Sequence, residues 1–233
     1  MIELNGISYR QRNNIILNAV SSSIHNGDCI AIFGPNGAGK STLIQILAGL
    51  LKSSSGEIKY DFERSNQVIG YVPQKNALFE NLTVKDHLNF FSKMVKDSDP
   101  NFVDGMYDAL DLKSLFNQKV SKLSGGQMKK LNLAVGMIQK PDIVFLDEAF
   151  VGVDLAAKYD MLDWLKKMNT EGMTIVFITH DWDTIKFLSR KMWVVDEGKL
   201  TAELSPEQFK SMPTQITEGS RALQKMFKMQ GSG

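Results

Sequence analysis

The sequence predicts an α/β fold built on a mainly parallel sheet. Two observations carry this. Short, continuous apolar runs rich in β-branched residues recur at Cys29–Phe33, Ile143–Leu146 and 174–178, as expected of strands covered on both faces. Helical periodicity lies between them, over 40–51 and near 155–169. Strands alternating with helices imply parallel pairing through right-handed crossovers. With 233 residues, 43% of them hydrophobic and 23% charged, the chain can bury a core without staples.

Each element follows from a local signal. Residues 2–33 read as strands and turns, β-rich at 15–17 and 29–33, with Asn26-Gly27-Asp28 turning between them. The helix over 40–51 carries apolar residues at 43, 46, 47 and 50. Ser53-Ser54-Ser55-Gly56 reads as a loop, and 57–62 and 68–72 as two further strands. From about 76 to 139 strand patterns give way to helical ones, as at Leu88, Phe91 and Val95, so this stretch reads as a helical insertion. After Pro141 come the strand at 143–146, the helix near 155–169, the strand at 174–178, a short helix and a strand at 192–195.

Composition removes several classes. The formal charge of +1 excludes a generally basic nucleic-acid sleeve, and no nucleic-acid partner is expected. The single Cys29 excludes an internal disulfide framework or a Cys-rich metal cluster. No apolar run nears the ~20 residues of a membrane span, and Met1-Ile2-Glu3-Leu4 does not open a signal peptide. The expectation is a soluble cytoplasmic chain.

Gly34-Pro35-Asn36-Gly37-Ala38-Gly39-Lys40-Ser41 fits G-x-x-x-x-G-K-[ST] in full, between a strand and a helix. Glycines there let backbone N–H groups curl around a phosphate, and the helix start adds its positive dipole end. Lys40 would reach the β- and γ-phosphates of a nucleotide, and the Ser41 hydroxyl would ligate Mg²⁺. Further on, Asp147 and Glu148 stand at the C-terminal end of a buried strand, the edge where open α/β sheets bind ligands. Asp147 suits the Mg²⁺ sphere through water. Glu148 would orient or deprotonate a water attacking the γ-phosphate.

A second anion site lies between these two. Leu123-Ser124-Gly125-Gly126-Gln127 places a good N-cap, Ser124, before a helix over 126–139 with apolar residues at 128, 131, 135 and 138. Ser124 with the Gly125 and Gly126 N–H groups would bind an anion. Phosphate loop, Leu-Ser-Gly-Gly-Gln run and acidic strand end, in that order, strongly resemble the nucleotide-binding subunit of ABC transporters over residues 2–204.

That resemblance implies a P-loop NTPase core with a mainly parallel sheet, an N-terminal antiparallel β subdomain and an inserted α-helical subdomain, with 205–233 as a helical tail. It implies ATP and Mg²⁺ as ligands and hydrolysis of ATP to ADP and phosphate. It places nucleotide contacts on Gly34 through Ser41 and on Thr42, and Mg²⁺ contacts on Ser41, Gln74 and Asp147. It implies two subunits packed head to tail as a homodimer, each ATP lying between the phosphate loop of one and Ser124, Gly125, Gly126 and Gln127 of the other. Gln74, in Tyr71-Val72-Pro73-Gln74, matches the glutamine that senses Mg²⁺ and γ-phosphate and links the core to the helical subdomain. His180 matches the switch histidine on the γ-phosphate, and Asp154 the loop crossing the dimer interface. His25 and His87 match nothing and read as structural or exposed.

Two departures stand out. Ala149-Phe150 follows Glu148 where the family often has Pro-Thr, which bears on the interface loop. The aromatic residue that stacks on adenine falls, by register, on Gln11, with Tyr9 two residues earlier on the same face. Either Tyr9 stacks instead, or Gln11 and a neighbour replace the ring.

The segments 79–84, 131–134 and 151–154 resemble bacterial exporters of drugs, peptides and lantibiotic-type compounds. They imply export through a separate membrane permease, with this subunit on the inner face of the cell membrane. Three alternatives stand beside it: an importer subunit, a soluble ABC ATPase, and a small-molecule kinase, which would leave the Leu-Ser-Gly-Gly-Gln run and His180 unexplained. In the tail, Leu223, Met226 and Phe227 with Arg221, Lys225 and Lys228 suggest a small amphipathic helix, packed on the subunit or its dimer mate or lying on a membrane surface.

Overall fold

The computed structural model describes residues 1–60, 68–95 and 99–211. The predicted amphipathic helix at 221–228 and the end of the predicted strand at 57–62 lie outside them. The elements in chain order are β1 (Ile2–Gln11), β2 (Asn14–Ile24), β3 (Cys29–Phe33), α1 (Lys40–Leu47), β4 (Ser55–Tyr60), β5 (Ile69–Val72), α2 (Val84–Met94), α3 (Pro100–Ala109), α4 (Gly125–Met137), β6 (Ile143–Leu146), α5 (Leu155–Thr170), β7 (Thr174–Ile178), α6 (Trp182–Leu188), β8 (Lys191–Asp196), β9 (Lys199–Leu204) and α7 (Pro206–Ser211). They fall into two compact units, 1–66 with 176–233, and 67–175.

In the first unit, β1 pairs antiparallel with β2 on one side and β4 on the other. One face of this sheet is apolar and buried, through Ile2, Leu4, Ile7, Leu17, Val20 and Ile24. The unit also holds residues 176–178 of β7 beside β3, β8 and β9, in the order β7-β3-β8-β9. β3 and β8 are parallel, with Ile30 opposite Lys191 and Phe33 opposite Val194, and all five β3 residues are buried. β9 was not among the predicted strands. It returns antiparallel along β8 after Glu197 and Gly198, both at positive φ, the conformation of a tight hairpin turn. The sheet is therefore mixed at this edge.

Two local predictions need correction. The first helix ends at Leu47 and not at 51. Gly49, at φ +75, sends its N–H to Ile46 O (3.0 Å) while Leu50 N–H reaches Gln45 O (2.9 Å), a glycine-terminated stop. Leu50, counted as part of the apolar face, is 61% exposed in consequence. Ser55 and Gly56 are strand and not loop, because β4 begins there to pair with β1.

In the second unit, β5 and β6 are parallel, Ile69 opposite Ile143 and Val72 opposite Leu146, within the order β5-β6-β7. All four β6 residues are buried, as their apolar run predicts. Between β5 and β6 the chain runs through α2, α3 and α4. The sequence places one apolar face on α4, yet Lys130, Leu131, Asn132, Leu133, Ala134 and Met137 are all buried, so the helix is enclosed on several sides. α4 also packs unusually close to β5: a Cβ on Gly70 would lie 2.7 Å from Gly136 O, and one on Gly136 would lie 2.9 Å from Tyr71 O. Among the described residues no helix is long and apolar enough to cross a membrane.

Candidate active site

The phosphate loop leaves β3 at Phe33 and enters α1 at Lys40. Its glycines serve different ends. A Cβ on Gly34 would fall 1.9 Å from Val195 O, and one on Gly39 would fall 2.7 Å from Ile16 O, so both seat the loop tightly on neighbouring backbone. Gly37, at φ +82, would meet nothing within 4 Å and faces open space, as a backbone cradle requires. Pro35, Asn36 and Gly37 are exposed, Gly34 and Ala38 buried, and Ser41 and Thr42 half-buried. No side chain caps α1 and its first turn holds no acidic residue, which leaves the helix start suited to a phosphate.

Lys40 is only 5% exposed, and its Nζ donates to Gly34 O and Pro35 O, both at 2.8 Å. The ammonium thus lies across its own loop, where a phosphate oxygen can replace the carbonyls. His180 follows β7 and is exposed, its ring tilted edge-on against Phe33 at 6.1 Å. The structure therefore brings the predicted switch histidine to the residue that precedes the phosphate loop. Tyr9 is half-buried opposite Leu17, whose side chain underlies Gly39; Gln11 is exposed opposite Asn14 at the hairpin end.

In the second unit, Asp147 is 4% exposed at the end of β6. Its N–H donates to Val72 O at 2.9 Å, and Tyr71 OH points at its Oδ2 from 3.5 Å. Glu148 is half-buried and sits at φ +49, a left-handed conformation that turns the chain sharply out of the strand. The Gln74 side-chain amide donates to Glu148 Oε2, so the predicted sensor and the predicted base meet directly. Asp147 and Gln74 carry side-chain oxygens, the hard donors that Mg²⁺ prefers.

Ser124 caps α4 as predicted. Its Oγ accepts from Gln127 N–H at 3.2 Å while Gln127 Oε1 accepts from Ser124 N–H at 2.9 Å, a reciprocal capping box. The Gly125 and Gly126 N–H groups have no acceptor among the described residues. Asp154 caps α5 through Ala157 N–H (3.0 Å). A Cβ on Gly126 would lie 2.2 Å from Asp154 Oδ2, so the two helix starts are packed against each other. Ala149 and Phe150, the departure from Pro-Thr, are buried.

Three residues here escaped sequence reasoning. Lys129 Nζ donates to Gln74 O at 2.5 Å. Asn132 Nδ2 donates to Pro73 O at 3.2 Å, and its Oδ1 accepts from Ala77 N–H at 3.3 Å. Tyr71 was visible only as a neighbour of Gln74. The other histidines separate: His25 is exposed beside Asp28, whereas His87 is wholly buried, its Nδ1 accepting from Phe79 N–H at 3.4 Å. Burial holds the His87 pKa below its usual range.

The fold, with its glycine loop and buried lysine in one unit and its strand-end carboxylates and capped Ser-Gly-Gly helix start in the other, defines a P-loop ATPase cassette. The ABC transporter family profile matches residues 17–151, and the chain belongs to that family. It is 36% identical over 183 residues to the zinc import ATP-binding protein ZnuC of Buchnera aphidicola, covering 77% of this chain and 74% of that one. It is 31% identical over 215 residues to the Nod factor export ATP-binding protein I of Burkholderia orbicola, covering 88% and 71%. The structure titled as a dimer of MJ0796, a bacterial ABC transporter cassette, superposes with a TM-score of 0.76 at 25% identity, covering 88% of this chain and 99% of that one. The chain is an ATP-binding, ATP-hydrolysing subunit of a transporter.

Proposed function

We propose that this subunit powers export through a separate membrane permease, working as a head-to-tail homodimer with Mg²⁺·ATP at each of two shared sites on the inner face of the membrane. The observation that carries the dimer is the start of α4. Ser124 and Gly125 are exposed, no acid enters the first turn, and two N–H groups await an acceptor. A helix start so arranged attracts an anion, and the γ-phosphate on the other copy's cradle is the anion the family supplies.

In this reading Lys40 trades its two loop carbonyls for the β- and γ-phosphates. Mg²⁺, when bound, neutralises charge building on the phosphates. The Gln74 amide leaves Glu148 and turns to the γ-phosphate, which frees the Glu148 carboxylate to orient a water and take its proton. His180 supports the γ-phosphate from the end of β7, and Asp154 orders the loop at the interface. Tyr9 or Gln11 lies against the adenine. Cleavage removes the bridging charge and the two copies part.

Export is supported by the exporter-like segments at 79–84, 131–134 and 151–154 and by the Nod factor export relative. A permease contact is supported by exposed Phe79 (50%), Phe90 (44%) and Met94 (69%), an apolar cluster of the kind partners cover.

The test is Glu148→Gln with Mg²⁺·ATP on a sizing column with light scattering. The expected species is a stable dimer that retains ATP; a monomer that binds ATP without pairing would overturn the head-to-tail reading. Direction is tested with the subunit and its permease in vesicles. ATP on the subunit's side should drive cargo away from that side, and movement toward it would establish import.

A further inference from the structure

Three hydrogen bonds join one face of α4 to the loop that carries Gln74. Lys129 Nζ binds Gln74 O (2.5 Å), Asn132 Nδ2 binds Pro73 O (3.2 Å), and Asn132 Oδ1 receives Ala77 N–H (3.3 Å). They grip the backbone before, at and after Gln74, and leave its side chain to Glu148. We propose that Lys129 and Asn132 are positioning residues which lock the Gln74 loop to α4, so that the Gln74 amide and the Ser124 helix start are set by one rigid element. The proposal rests on the reading of Gln74 as a γ-phosphate and Mg²⁺ contact.

The energetics favour a dedicated role. Asn132 is 2% exposed. A buried amide is costly unless its donor and acceptor are both used, and here both are used on this loop and nowhere else among the described residues. A leucine would fill the same space at less risk, so the amide contributes direction and not bulk. Burial lowers the Lys129 pKa, and the charges of Glu148 and Asp147 oppose that drop. The one cation thus holds the Gln74 loop by its backbone carbonyl, within the electrostatic reach of both carboxylates of the β6 end.

The helix itself is the lever. At about 1.5 Å per residue, Lys129 lies ~7.5 Å and Asn132 ~12 Å along α4 from Ser124. One turn beyond Asn132, Gly136 meets Gly70 and Tyr71 at backbone distance and fixes α4 to the strand that leads into the loop. The Gln74 side chain can turn on this fixed base, but a displacement of its backbone must carry α4 with it or break the three bonds. Direct contact with nucleotide is not required of either residue.

The test compares the full chain with Lys129→Met, Lys129→Arg and Asn132→Leu, titrated with ADP and with the non-hydrolysable β,γ-imido analogue of ATP, both with Mg²⁺. ADP reads the phosphate loop alone; the analogue adds the γ-phosphate that Gln74 should contact. Lys129→Met and Asn132→Leu should leave ADP affinity within about twofold and weaken the analogue about tenfold, the scale of a charge-assisted or buried hydrogen bond. The turnover number with ATP should fall by a similar factor, and Lys129→Arg, which still donates, should regain most of both. Equal losses for the two nucleotides would mean general damage and overturn the proposal. So would unchanged discrimination, or an arginine variant as impaired as methionine. If the parent chain bound ADP but showed no added affinity for the analogue, the γ-phosphate reading of Gln74 would fail, and that result is seen before any variant is made.

Discussion

Gly126→Ala separates packing from anion binding at the start of α4. The added Cβ would stand 2.2 Å from Asp154 Oδ2 and 2.9 Å from Ala157 Cβ, closer than real atoms approach. Neither neighbour yields cheaply, because Asp154 is pinned by its cap bond to Ala157 N–H (3.0 Å) and Ala157 has no rotamer to change. Relief by swinging Asp154 away forfeits an N-cap of about 1 kcal/mol. Relief by shifting α4 or α5 costs an overpacking strain of about 1–3 kcal/mol. The better helix propensity of alanine returns up to ~1 kcal/mol. Relative to a variant that gains the same propensity without the clash, the expected loss is about 1–3 kcal/mol, or roughly 2–12 °C in Tm for a chain of this size. Gly125→Ala is that variant: its Cβ would meet only Gly152 O, at an ordinary 3.6 Å, so only the propensity gain of up to ~1 kcal/mol should appear. Calorimetry on the two variants decides. Equal Tm values for Gly126→Ala and Gly125→Ala would refute the claim that the two helix starts are packed to contact.

Three further outcomes follow from the same coordinates. Lys40→Met, which keeps the stem and removes the cation, should weaken ATP binding by at least about tenfold in an equilibrium titration, the worth of one charge-assisted hydrogen bond, and leave the Tm nearly unchanged. His87 is buried and its pKa lowered, so the unfolded chain takes up a proton that the folded chain resists. Its contribution to stability is intact above pH 6.5 and is lost as pH falls from there toward the depressed folded value. His87→Gln can still accept from Phe79 N–H without titrating, and urea unfolding at pH 7 and pH 5 should show a smaller acid-side loss than in the parent. Burial pushes the Cys29 thiol up to about 12, so it should stay unreactive toward a disulfide reagent in the native chain and react once in denaturant.

The sequence exposed whatever depends on one residue's chemistry or on period. The strands at 29–33 and 143–146 are buried on both faces, and an unbroken apolar run is the direct imprint of that. The phosphate loop and the Ser124 cap were legible because each fixes its own backbone within a few residues. What stayed hidden depends on distant partners. The strand β9 is half exposed; its alternation of Leu200, Ala202 and Leu204 with polar residues, after the Glu197-Gly198 turn, is a strand signal, passed over because the segment is short. The early stop of α1 is written in Gly49, which the apolar count through Leu50 overrode. Lys129 and Asn132 could not be found from spacing, since a charged and a polar residue on a helix ordinarily face water, and only the approach of the Gln74 loop gives them work. That loop lies 55 to 59 residues away in the chain from the groups that hold it.

On the proposed reading, two groups that would meet a nucleotide are each already held by a neighbour. The Lys40 ammonium is bound to Gly34 O and Pro35 O, and the Glu148 carboxylate is bound by the Gln74 amide. The two donors, Lys40 and Gln74, can each pass to phosphate, and the half-buried Glu148 carboxylate then loses that amide. An ammonium passes from two neutral carbonyls to anionic oxygens, which is a gain in charge complementarity. A carboxylate that loses its amide donor becomes a stronger acceptor, and it does so only when that amide has found the γ-phosphate. A lone carboxylate beside bound ADP would keep its amide, because ADP offers no γ-phosphate to draw Gln74 away. If Glu148 is the base and Gln74 the γ-phosphate contact, as proposed, the same hydrogen bond ties the readiness of the one to the presence of the group the other binds.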